Sequence, residues 1–110
     1  MSTSPIVESI QFIRANDFPP PDLMSEGVKH RLVIWSDFLQ NSAEGNHFKN
    51  LDEGEAFYAR NPVDLDLVEL TTFYMLSNKY SKHQTPEHKK FWRDFFSKTK
   101  ANFLLWDTIK

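Results

Sequence analysis

Apolar residues recur mostly at helical spacing along this chain. Ile6, Ile10 and Ile13 share a face, with Val7 beside them and Phe12 pointing elsewhere. Ser4 offers a cap and Pro5 suits the first helical position, so the pattern predicts a helix starting there. It should stop before Asp17-Phe18-Pro19-Pro20-Pro21, because three consecutive prolines cannot continue a helix. Residues 17–21 are read as a stiff proline-rich connector, and residues 1–3 as lacking fixed structure.

A second helix is predicted from about Asp22 or Ser25 to about Gln40. Met24, Val28, Leu32, Trp35, Phe38 and Leu39 fall in one sector of it, interrupted by Arg31. A short helix over 51–60 has Asn50 as its cap and Leu51, Phe57 and Tyr58 as its anchors. Asn61-Pro62, a capping residue followed by proline, predicts the start of a helix over 62–79. Its apolar residues nearly encircle it. Val63, Leu67, Leu70 and Tyr74 lie on one side, Leu65, Phe73, Leu76 and Tyr80 on another, with Val68 and Met75 between. A helix apolar all round belongs at the centre of a bundle.

Thr85-Pro86 repeats the cap-plus-proline device. It opens a helix running almost to Lys110, with Phe91, Trp92, Phe95, Phe96, Thr99, Phe103, Trp106 and Ile109 as one stripe. Val33-Ile34-Trp35 is strand-like, but it is short and lies inside a helical pattern. The expectation is an all-α fold: a single compact domain over residues 1–110, built as an irregular bundle of four to five helices. Helix 62–79 is central in it, and helix 86–110 packs its rings against that centre.

A chain of 110 residues holds one hydrophobic core. Cysteine is absent, which removes disulfides, thiolate nucleophiles and zinc–thiolate sites. The first residues lack the basic and apolar regions of a signal peptide, and no apolar run is long enough to span a bilayer. These features predict a small soluble cytoplasmic protein that is not a membrane protein.

The net charge of −2 hides an uneven distribution. Residues 1–78 carry 5 basic and 12 acidic side chains, net −7, whereas residues 79–110 carry 8 basic and 3 acidic, net +5. Lys89, Lys90, Arg93 and Lys100 form a basic edge beside the aromatic stripe, and Asp52, Glu53 and Glu55 form an acidic group near the short helix. Both are candidate protein-binding surfaces, since charge complementarity guides docking. Arg31, inside an apolar sector, is a candidate buried charge or anion site, with Asp66 or Glu69 as possible internal partners.

Catalytic patterns are sparse. No Gly-x-Ser-x-Gly elbow frames a serine, and Gly27, Gly45 and Gly54 form neither a dinucleotide fingerprint nor a phosphate loop. His30, His47, His83 and His88 lack metal-ligand spacing, so no metal or cofactor is expected and no catalytic residue is assigned. The function expected is a non-catalytic protein-binding module, of adaptor, inhibitor or immunity type, that binds a protein partner or itself. A nucleic-acid-binding protein using the basic C-terminal helix is the main alternative, and a small helical enzyme with a site near Arg31 is the third.

Overall fold

The structure is a computed structural model that describes residues 5–24, 27–42, 45–47, 51 and 53–109. Along the chain come α1 (Ile6–Asp17), β1 (His30–Ser36), a two-residue pair β2 (Asn41–Ser42) and β3 (Gly45–Asn46), α2 (Gly54–Arg60), β4 (Val68–Met75), α3 (Pro86–Lys98) and β5 (Asn102–Ile109). Single 3₁₀ turns occur at Pro21–Leu23 and Ser81–His83. The expected all-α bundle is therefore wrong: among the described residues the chain is an α/β fold. Its sheet has three parallel strands in the order β1-β4-β5, with β2 and β3 as a separate antiparallel pair.

Helix α1 stands where predicted, with Val7 and Ile10 buried and Phe12 66% exposed. Ser4, Asn50 and residues 1–3 lie outside the described residues, but the cap positions of α1 and α2 are held by Pro5 and Glu53, neither with a side-chain cap bond, and not by Ser4 and Asn50 as expected. Helix α2 is shorter than the predicted 51–60: it begins at Gly54, leaving Leu51 outside it, and is anchored by buried Phe57 and half-buried Tyr58.

The predicted helix over 22–40 is instead a turn and then β1, whose core His-Arg-Leu-Val-Ile-Trp-Ser is rich in the branched and aromatic residues that strands favour. Helix 62–79 is replaced by β4. Asn61-Pro62 ends α2 rather than opening a helix: the Asn61 amide donates to the carbonyls of Phe57 (2.9 Å) and Tyr58 (3.0 Å), and Pro62 prevents continuation. In β4, Val68, Leu70, Thr72 and Tyr74 are buried while Glu69, Thr71, Phe73 and Met75 are only half-buried. That period of two is the strand repeat. Apolarity that encircled a helix on paper is apolarity on both faces of a parallel strand.

The last predicted helix is two elements. Thr85 caps α3 as expected, its hydroxyl accepting from the His88 amide at 3.1 Å, with Pro86 in the first turn. The helix stops at Lys98. The Thr99 hydroxyl donates to the Phe96 carbonyl at 2.6 Å, and Lys100 adopts a left-handed backbone with φ 67°. The chain then reverses into β5. Phe103 and Trp106 still approach the same core, with Phe96 and Phe103 ring centroids 5.8 Å apart.

Helices α1, α2 and α3 bury their apolar side chains in one core with Leu32, Val68, Leu70 and Tyr74 of the sheet. Helix α3 contributes most of the rings, namely Phe91, Trp92, Phe95 and Phe96. Gly54 is required where α2 meets α3, because a Cβ there would lie 2.1 Å from the Phe91 carbonyl oxygen.

Candidate interaction surface

The register of the sheet decides which side chains share a face. Leu32 pairs with Leu70, and Ser36 with Tyr74, on the covered side. One residue away, Arg31 pairs with Glu69, Val33 with Thr71 and Trp35 with Phe73 on the opposite side. Across the β4–β5 ladder, Asp107 is the partner of Phe73. This second face carries no helix among the described residues. Val33 is 59% exposed and Trp35 64% exposed, and the Trp35 ring leans on Phe73 with centroids 5.2 Å apart.

Charge brackets this apolar centre. At the strand starts, Glu69 receives Arg31 Nε at 3.1 Å and lies 3.9 Å from Lys29 Nζ. Two cations thus share one carboxylate. Toward the strand ends the face carries exposed Asp107. At the free edge of β1, a cleft of about 300 Å³ separates Ile6, Ile10 and Ile13 of α1 from residues 32–36.

Beneath the covered face lies a buried polar knot. Phe38 takes a left-handed backbone with φ 60°, and its carbonyl accepts from Trp92 Nε1 at 2.7 Å. His88 Nε2 sits 2.9 Å from the same oxygen. A carbonyl only accepts, so that nitrogen carries the proton. His88 Nδ1 therefore accepts from the Tyr74 hydroxyl at 2.5 Å. His47 Nδ1 accepts from the Gln40 amide at 3.2 Å and lies 3.1 Å from His88 Nε2. Burial lowers the His88 pKa to about 4, against a smaller raising effect of the Phe38 carbonyl and with a further lowering effect of His83. Burial, with Asp37 adding to it, raises that of Tyr74 well above the ordinary phenol value. The imidazole is held neutral between β4, α3 and the turn after β1, with both nitrogens engaged.

The residues singled out from sequence fall in three places. Lys90 bonds to Asp94 at 2.6 Å, and that hydrogen bond raises its pKa, with Glu55 and Glu53 adding to the effect. Lys98 faces Glu55 at 3.9 Å. Glu53, Glu55, Glu87, Lys90 and Asp94 line one cleft of about 380 Å³ between α2 and α3. The acidic group and part of the basic edge therefore meet within one chain; Asp52 lies outside the described residues. Lys89 and Arg93 lie over rings instead, the Lys89 ammonium 5.2 Å from the Tyr74 centroid and the Arg93 guanidinium 5.9 Å from that of Trp106. Lys100 is exposed in the turn before β5, near Lys29, Asp66 and Glu69.

Arg31 is not a buried charge. Its side chain is 67% exposed, because residue 31 belongs to the open face of a strand and not to the apolar sector of a helix. Of the two carboxylates considered for it, Glu69 is the partner. The residues that sequence reasoning missed are Val33, Trp35, Phe73 and Met75 as one surface. The run Val33-Ile34-Trp35 was the available signal.

Among the described residues no group of three or more His, Asp or Glu side chains converges to hold a metal ion, and no helix is long and apolar enough to cross a membrane. Compared with protein-family models, curated proteins and solved structures, the chain matches none.

Proposed function

We propose that the chain is a non-catalytic protein-binding module of adaptor, inhibitor or immunity type, and that its docking surface is the open face of the parallel sheet. One observation carries the reading: a parallel sheet is normally covered on both faces, yet here Val33 and Trp35 of the edge strand β1 stand 59% and 64% exposed on one of them, beside half-buried Thr71 and Phe73 of the central strand. The occupant is an amphipathic helix of a partner protein, supplying the missing layer. Its direction follows from charge. The negative end of a helix dipole suits the Lys29–Arg31 end of the face, and the positive end suits Asp107. The helix therefore runs antiparallel to the strands, as crossover helices of α/β folds do. An eight-residue strand such as β4 spans about 26 Å, which about 17 helical residues cover.

The nucleic-acid alternative loses support from Lys90 and Lys98, which face carboxylates. A helical enzyme near Arg31 loses its helix, and the guanidinium there already has Glu69.

A photo-crosslinking residue at Trp35, in the cells that express the chain, tests the proposal. The expected product is one adduct whose crosslinked peptide has apolar residues at helical spacing and acidic residues toward its C-terminal end. Val33→Asp should abolish it without unfolding the chain. Adducts no different from those of a probe at exposed Phe12 would overturn the reading. Adducts solely to a second copy would also overturn it, and would make the face a self-association surface.

A further inference from the structure

Among the described residues Arg14 is the buried Lys or Arg, and its surroundings are unusual for one. It is 8% exposed in the last turn of α1. Its Nε donates to the Asp64 carbonyl and its Nη1 to the Pro19 carbonyl, both at 2.6 Å. Among the described residues no carboxylate pairs with it. Asp64, whose carbonyl Arg14 contacts, uses its Oδ1 to accept from the Asp66 amide at 2.9 Å. Two carbonyls and the C-terminal end of a helix dipole supply partial negative charge only. A guanidinium has five N–H donors, so three on Nη1 and Nη2 remain beyond these two bonds.

Arg14 lines a cavity of about 400 Å³ between α1 and residues 62–64. Phe18, Pro20, Pro62 and Val63 supply apolar walls, and Ala15 lies at the lining with no bulk to fill it. A buried charge without a counter-charge is costly, and a carboxylate is the group whose geometry a guanidinium matches in bidentate fashion. Gln11 and Asp64 complete the lining; with the Asp64 Oδ1 held by the Asp66 amide, Arg14 is the group left to meet one negative charge carried on an apolar body.

We propose that this cavity is a ligand site for a monocarboxylate carrying an aryl or alkyl body, with Arg14 as the recognition residue. The two carbonyl bonds fix the guanidinium plane, and the proline and phenyl walls take the body. The same chemistry is presented by a free carboxylic acid and by the C-terminus of a peptide ending in an aromatic residue. The site lies apart from the open sheet face and is independent of that surface.

Backbone amide shifts of the full chain, titrated with phenylacetate, test the site. Saturable shifts at Ala15, Phe18 and Asp64 are expected, with the uncharged phenethyl alcohol at least tenfold weaker. A capped dipeptide ending in phenylalanine, compared with its C-terminal amide, separates the two sources: a dipeptide acid that binds more tightly than phenylacetate identifies a peptide terminus, and a weaker one a free acid. Arg14→Gln should weaken phenylacetate at least tenfold. Ala15→Trp, which leaves Arg14 in place but fills the cavity, should do the same and decides the matter if Arg14→Gln fails to fold. Equal affinity for acid and alcohol, the absence of saturable shifts, or undiminished binding to Ala15→Trp would overturn the proposal.

Discussion

His88 shows how one side chain can set the pH response of the whole chain. Folding lowers its pKa from 6.5 to about 4, chiefly through burial. Between those values the unfolded chain binds the proton and the folded chain does not, so stability rises with pH there. The contribution is whole above the unfolded value and is lost as the pH falls toward 4. A shift of this size corresponds to about 3 kcal/mol. Urea unfolding at a series of pH values should show that decline. His88→Gln keeps a donor and an acceptor but does not titrate. It should lower stability at pH 7 and flatten the slope on the acid side. Phe38 is the other half of this arrangement. Its left-handed backbone brings one carbonyl within reach of both Trp92 and His88, so a side chain at position 88 without a donor leaves that oxygen with Trp92 alone.

At the scale of elements, the local signals that proved legible are those with a stereochemical cause at one residue. Thr85-Pro86 opened a helix because a hydroxyl met the amide three residues on. Thr85→Ala should therefore cost about 1 kcal/mol in a denaturant titration. Gly54→Ala should cost more, about 2–3 kcal/mol, since its methyl would fall 2.1 Å from the Phe91 oxygen and force α2 away from α3. The periodic signals were less secure. Leu32, Trp35 and Phe38 fit one helical sector, yet Leu32 is buried inside the sheet and Trp35 stands on its outside. A strand with apolar residues on both faces has no strict alternation for a sequence to display, so β1 looked like part of an amphipathic helix and β4 like a helix apolar nearly all round. Phe91, Trp92, Phe95 and Phe96 were correctly assigned to the core, and Trp106 packs against it from β5 rather than from a longer α3, whereas Phe103, touching Phe96, stays 36% exposed. The candidate surface was missed for the same cause: Val33 and Trp35 acquire a shared face with Phe73 only when residues 30–36 are extended and paired with 68–75.

For the whole molecule, Lys90 is held within α3 by Asp94, and Glu55 of α2 faces Lys98 of α3, which moves attention to the apolar face of the sheet. If that face serves docking and not stability, Val33→Lys with Trp35→Lys should change the unfolding free energy by less than about 1 kcal/mol, while abolishing capture of the partner. A loss of several kcal/mol in equilibrium unfolding would instead make the face part of the fold. The strand order β1-β4-β5 has a kinetic consequence as well. No neighbouring strands of this sheet are joined by a hairpin: His30 must find Val68, and Glu69 must find Asn102. Such a sheet has no local nucleus, and loop-closure entropy is spent before the first ladder rewards it. Refolding should consequently proceed in milliseconds to seconds, with β4 exposing both edges until its two distant neighbours arrive. Crowded or concentrated chains would then compete with the native strands for those edges, so recovery on dilution from urea should fall as protein concentration rises.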